Sequence, residues 1–213
     1  MATYHLSTPL QEEDMRKLVI GDVVYLTGHI FTARDMAHLK IRGLLEEGQP
    51  LPKDFTGAAV FHAGPVALKN EDGSWRLNVI GPTTSIRMEP YADVVGKMGI
   101  RAVIGKGGMA EDTVRACGAY GYVYLQAAPG CAAKLAQGVE KINDVTWFEL
   151  GMPEAIWDLQ AKEFGPLVVG MDTHGGSIYA SLKQAAFEKI VPGVTTEEEI
   201  YRFMAAESFR MGA

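Results

Sequence analysis

Three consecutive hydroxyls, Thr83, Thr84 and Ser85, stand in the stretch IGPTTSIRMEP, and Arg87 follows the first of them by four positions. Further on, VIGKGGMAED carries Lys106 in a glycine-rich turn, with Gly107 and Gly108 directly after it. Arg34 sits in TARDMAH, four residues before His38. A guanidinium offers a planar fork matched to a carboxylate, whereas an ammonium acts as a point charge. Hydroxyls and the exposed amides of glycine turns add further donors. Together these residue types suit a pocket for a small anion, with a carboxylate as the best match.

Each residue also has a plainer role. Arg34 can solvate a helix end or pair with Asp35, and Thr84 and Ser85 can cap the helix that follows. His62 in FHAGP and His174 in DTHGG read as hydrogen-bonded structural residues. A threonine hydroxyl is a poor general base unless neighbouring cations or an oriented acceptor depress its pKa. Two nucleotide motifs are excluded. A P-loop needs Gly-x-x-x-x-Gly-Lys-Ser/Thr, but Gly105-Lys106 is followed by Gly107, and Gly99 lies one place too far upstream. The Gly-x-Gly-x-x-Gly dinucleotide fingerprint is absent at the first strand-to-helix turn.

The elements that must position these residues alternate along the chain. TPLQEEDMRKL reads as a helix with Thr8 as N-cap and Pro9 in its first turn; GDVVYLTGHIFTA reads as a strand, and RDMAHLKIRGLLEEG as a helix. GAAVFHAGPVAL and SWRLNVIGP flank an Asp-Gly turn signal and predict two antiparallel strands. Then follow a helix near 88–97, the strand RAVIG, a helix over 110–118 and the strand GYVYLQ. A helix from PGCAAKLA, a helix over MPEAIWDLQAKE, the strand GPLVVGMD and two closing helices complete the chain. The expected fold is α/β, a mixed sheet with helices packed around it and a β-rich flank. Function in such folds gathers on loops at strand ends. GPTTS follows RLNVI and GKGGM follows RAVI, so both opening motifs fall there.

Composition narrows the classes. A chain of 213 residues buries about 70% of its unfolded surface and needs no disulfide or metal for stability. The net charge of −6 argues against a nucleic-acid coat. The two cysteines, Cys117 and Cys131, lack Cys-x-x-Cys spacing and are too few to hold an iron–sulfur cluster. The N-terminal stretch lacks the pattern of a signal peptide, and no run reaches the ~20 apolar residues of a membrane span. The expectation is a cytoplasmic protein with free thiols.

The blocks GDVVYLTGHIFTARDMAH, FHAGPV, GPTTSIRME, GKGGM, ELGMPEAIW and EFGPLVVGMDTHG occur in this order, and over about residues 5 to 190 the chain resembles the β subunit of two-subunit class I fumarate hydratases and of the related L(+)-tartrate dehydratases. The resemblance implies a swivelling β/β/α domain over 1–213, and the closing segment EEEIYRFMAAESFRMGA reads on its own as a helical extension over 195–213. It implies a fumarase α subunit as partner in a hetero-oligomer. That subunit carries a 4Fe–4S cluster whose open iron serves as Lewis acid, and this chain carries none. Carried over by motif, Arg34, Arg87, Thr84 and Gly107 bind substrate, Thr83 is the catalytic base and Lys106 its companion; His38 lies in a matching block without an assigned role. Reversible hydration of fumarate to L-malate is the first implied activity and L(+)-tartrate dehydration the alternative. A non-catalytic clamp for the α subunit is a further alternative. In the catalytic readings, two cationic anchors hold a dianion, and Lys106, Arg87 and the glycine amides stabilise the charge that builds up on proton removal.

Overall fold

The computed structural model describes residues 1–188. Two compact units divide at Ile178. Unit 1 begins with β1 (Thr3–Ser7), α1 (Glu12–Met15), β2 (Val23–Thr32), α2 (Asp35–Glu46), β3 (Ala59–Phe61), β4 (Ala63–Lys69) and β5 (Trp75–Pro82). A 3-10 segment, Ser85–Tyr91, runs into α3 (Ala92–Lys97); then come β6 (Ala102–Gly105), α4 (Glu111–Tyr120), β7 (Val123–Ala127), α5 (Ala132–Gln137), β8 (Val139–Thr146) and the long β9 (Ile156–Met171). The described part of unit 2 lies in the helix α6 (Ile178–Glu188). The helix expected over 195–213 lies outside the described residues.

Helices and a mixed sheet make this an α/β protein. β2, β3, β6 and β7 pair in parallel, and β9 pairs antiparallel with both β7 and β2. These pairings close a circuit, β2–β3–β6–β7–β9 and back to β2. β1 adds to β2 in parallel and β8 to β9 antiparallel. Strand side chains alternate between faces. One set, with Leu26, Ile30, Phe61, Ile104, Leu125, Leu159 and Leu167, forms the main core. The intervening Val60, Val103 and Tyr124 are also buried. Strands buried on both faces read as continuous apolar runs, which is the pattern of RAVIG and GYVYL.

MPEAIWDLQAKE is not a helix, because Ile156 onward belongs to β9. Trp157, Leu159 and Ala161 are buried at every second residue, and this period of two places all three in the core. Thr8 does not cap α1, whose N-cap is Gln11 without a side-chain bond. Instead Thr8 Oγ1 accepts a hydrogen bond from His29 N at 2.6 Å. A Cβ on Gly28 would lie 2.2 Å from that oxygen, so the glycine makes room for the contact. GAAVFHAGPVAL supplies two strands rather than one. β3 enters the main sheet, while β4 pairs with β5 in a separate hairpin across the expected Asp-Gly turn.

Candidate functional site

β2, β3 and β6 run side by side in parallel and end within one residue of each other, with Thr32 opposite Phe61 and Phe61 opposite Ile104. The chain leaves all three ends toward residues singled out from the sequence. β2 leads through Ala33 to Arg34, β3 to His62 and β6 to Lys106. The carboxyl ends of adjacent parallel strands are where α/β sheets place ligands. The hairpin returns to the same edge: Thr83 N, just past β5, donates to the His62 carbonyl at 2.7 Å, and His62 N donates to the Ile104 carbonyl at 2.8 Å. Thr84 and Lys106 then form an isolated parallel bridge, in which Ser85 N donates to the Lys106 carbonyl at 3.0 Å.

Arg34 occupies the N-cap position of α2 in extended backbone. It does not pair with Asp35. Its Nε lies 3.2 Å from Glu154 Oε1, near enough for an ion pair but off the direction of a hydrogen bond. Glu154 Oε2 accepts from Met36 N at 3.1 Å, so one carboxylate serves both the arginine and the first turn of α2. The partner of Asp35 is Arg87, whose Nε and Nη2 reach its two oxygens at 3.2 and 2.6 Å. This bidentate pair places Arg87 beside the residue that follows Arg34. Both arginines therefore meet at the N-terminus of α2.

Lys106 is half-buried and makes no ion pair among the described residues. Arg34 and Arg87 each have a carboxylate partner, Glu154 and Asp35, whereas Lys106 has none among the described residues. Gly107 and Gly108 follow with φ of 76° and 77°, a backbone region that favours glycine. Gly107 is exposed, and a Cβ there would come only as near as 4.0 Å to the Thr84 methyl. Thr83 is half-buried and Thr84 exposed. Thr84 takes the N-cap position of the 3-10 segment but makes no capping bond through its side chain. Ser85 does not cap either: it is buried, with its Oγ 3.0 Å from His62 Nδ1.

His38 is fully buried and does not face an open cleft. Its Nδ1 lies 2.8 Å from the Arg34 carbonyl, which only accepts, so Nδ1 carries the proton. Burial holds the ring neutral and lowers its pKa to about 4, against a smaller opposing effect of that carbonyl. Burial likewise pushes His62 well below the ordinary histidine value, and nearby His38 adds to this. The two rings meet edge to face at 5.4 Å, and His38 stacks on Tyr91. His174 donates from Nε2 to the Arg16 carbonyl, away from this edge.

The carboxylates were the part of the site that the sequence concealed. Asp35 pairs with Arg87 and not with its neighbour Arg34, and Glu154 lies just before the first half of β9, where the sequence pattern predicts a helix. Glu89 was also missed. It accepts from Ala110 N, Thr113 N and Thr113 Oγ1 at 2.8 to 2.9 Å and so closes the first turn of α4, whose own N-cap Ala110 has no polar side chain. A carboxylate three places before a helix within SIRMEPYADVV was the available signal, but its target helix lies two elements on.

The cysteines do not fit an iron–sulfur cluster. Cys117 is buried in α4 with its thiol pKa driven up by burial, and Cys131 is exposed before α5. Among the described residues no group of three His, Cys, Asp or Glu is arranged to hold a metal. A cavity of about 270 Å³ is lined by Thr8, His29, Phe31, Lys53 and Asp158, none of which belongs to the cluster above. No helix among the described residues is long and apolar enough to cross a membrane.

Comparison with known proteins places this strand-end cluster in context. The chain is 46% identical over 183 residues to a putative L(+)-tartrate dehydratase subunit beta of Methanocaldococcus jannaschii, covering 85% of this chain and 93% of that protein. It is 43% identical over 188 residues to the L(+)-tartrate dehydratase subunit beta of Escherichia coli, covering 88% and 92%. A putative fumarate hydratase class I of Geobacillus stearothermophilus is 44% identical over 186 residues, which is 87% of this chain but 35% of that longer protein. Residues 2–182, which include every residue of the cluster, match the fumarase C-terminus family, and the chain belongs to that family.

Proposed function

We propose that this chain is the β subunit of a hydro-lyase and forms the cationic wall of a site for a four-carbon dicarboxylate. The observation that carries the reading is the convergence of Arg34, Arg87, Thr83 and Lys106 on one end of three parallel strands. The two arginines anchor the substrate carboxylates, and their internal carboxylate partners hold the forks in orientation. Thr83 is the residue that exchanges the proton at the carbon beside a carboxylate. Lys106, without an ion pair among the described residues, stabilises the extra negative charge that builds up there. Its positive charge also makes base action by a threonine less unfavourable. Thr84 and the exposed Gly107 border the same edge.

The 4Fe–4S cluster belongs in this proposal to an α subunit. Cys117, buried in α4, and Cys131, exposed before α5, do not fit it. Reversible hydration of fumarate to L-malate is the first reading, in line with the name of the Geobacillus relative. Dehydration of L(+)-tartrate is the second, favoured by the names of the Methanocaldococcus and Escherichia relatives. Anaerobic reconstitution with the α subunit, followed by turnover on fumarate, L-malate and L-tartrate, tests the proposal. Preferred turnover of one substrate chooses between the readings. An assembled pair that turns over none of the three overturns both and leaves the non-catalytic clamp.

A further inference from the structure

Ser85 is a hydroxyl kept at zero exposure where an alanine would fit. A buried hydroxyl without partners destabilises the fold, and Ser85 has two: the Tyr124 hydroxyl donates to its Oγ at 3.1 Å, and His62 Nδ1 lies 3.0 Å away. The surroundings are shaped to admit it. A Cβ on Gly105 would fall 1.8 Å from Ser85 Oγ and 3.1 Å from the Tyr124 oxygen. The backbone of two of these residues, Ser85 and His62, joins the site loops. Ser85 N binds the Lys106 carbonyl, and the His62 carbonyl receives Thr83 N. The side-chain contacts thus lie directly beneath the bridge that holds Thr84 against Lys106.

We propose that Ser85 is a positioning residue. Its hydroxyl, clamped between Tyr124 and His62, fixes the Thr83–Thr84 segment against Lys106 and so sets how the Thr83 hydroxyl and the Lys106 ammonium face a bound dicarboxylate. Ser85 itself touches no substrate. The substrate part of this inference rests on the hydro-lyase reading, whereas the clamp is a property of the chain alone.

The test uses Ser85→Ala and the milder Tyr124→Phe, which deletes one hydroxyl and preserves the ring. Amide hydrogen exchange of Thr83 and Ser85 in the full chain reads the clamp without any substrate. Both amides should exchange faster by about fivefold or more in either variant, through local opening of this edge. In the reconstituted complex, kcat should fall about tenfold for Tyr124→Phe, the scale of one lost hydrogen bond, with KM within about twofold. Unchanged exchange in Tyr124→Phe overturns the clamp. Faster exchange with unchanged kcat, or with kcat and KM shifted together, overturns the positioning role. A wild-type complex inactive on all substrates instead removes the hydro-lyase reading, and the exchange result still decides whether Ser85 orders this edge.

Discussion

Asp35 engages two of the donors on the Arg87 fork. An exposed pair of this kind adds little stability, about 0–1 kcal/mol, so its value lies in orientation. Asp35→Ala should raise KM for the dicarboxylate about five- to tenfold and change unfolding free energy by less than about 1 kcal/mol. Steady-state kinetics and urea denaturation check this; an unchanged or lower KM would show that Asp35 competes with substrate instead of aiming the arginine. His38 makes a prediction in pH. Its folded pKa of about 4 lies below the unfolded value of 6.5, so the unfolded chain binds the extra proton between these values. Stability is full above pH 6.5 and declines as pH falls toward 4, with His62 shifted in the same direction. The loss from His38 alone is on the order of 3 kcal/mol at the acid end, readable as a falling urea midpoint from pH 7 to pH 4.5. At this scale the sequence displayed the cations clearly, because their motifs are local. It hid their counter-ions, because Glu154 lies 120 positions from Arg34 and only the fold brings them together.

Among the elements, α4 depends on a residue outside itself. Its N-cap Ala110 has no polar side chain, and the Glu89 carboxylate supplies the missing acceptors from the 3-10 segment that also carries Arg87. Glu89→Ala should therefore destabilise by about 2 kcal/mol, the scale of charge-assisted bonds to a helix N-terminus. Because α4 follows the Gly107-Gly108 turn, activity of the assembled enzyme should fall as well. A thermal midpoint and kcat indistinguishable from wild type would contradict the capping account. The parallel strands β6 and β7 were readable because burial on both faces gives short runs of apolar residues. β9 was readable only in its second half, GPLVVGMD; in the first half Asp158 and Gln160 alternate with buried Trp157, Leu159 and Ala161 over too few residues to outweigh the helix-forming Ala, Glu and Leu around them. Sheet closure decided that contest, since β9 joins both edges of the circuit.

For unit 1 as a whole, the consequence of that closure is a continuous sheet whose strand ends carry the loops of the site. A circuit of strands leaves fewer free edges, and the two strands outside it, β1 and β8, take up positions beside β2 and β9. The α/β class and the gathering of motifs at strand ends were visible in the order of the segments. The closed circuit was not, because it depends on a pairing between β2 and β9 that are far apart in the chain. The central claim is that Arg34, Thr83, Arg87 and Lys106 act on one dicarboxylate. Turnover of the anaerobically reconstituted complex carrying Thr83→Ala or Lys106→Ala tests it most directly. The account predicts a kcat lowered by about a hundredfold or more for each variant, as expected for loss of a proton-transfer or charge-stabilising group, with assembly intact by gel filtration. Assembled variants that retain most of the wild-type turnover would contradict it.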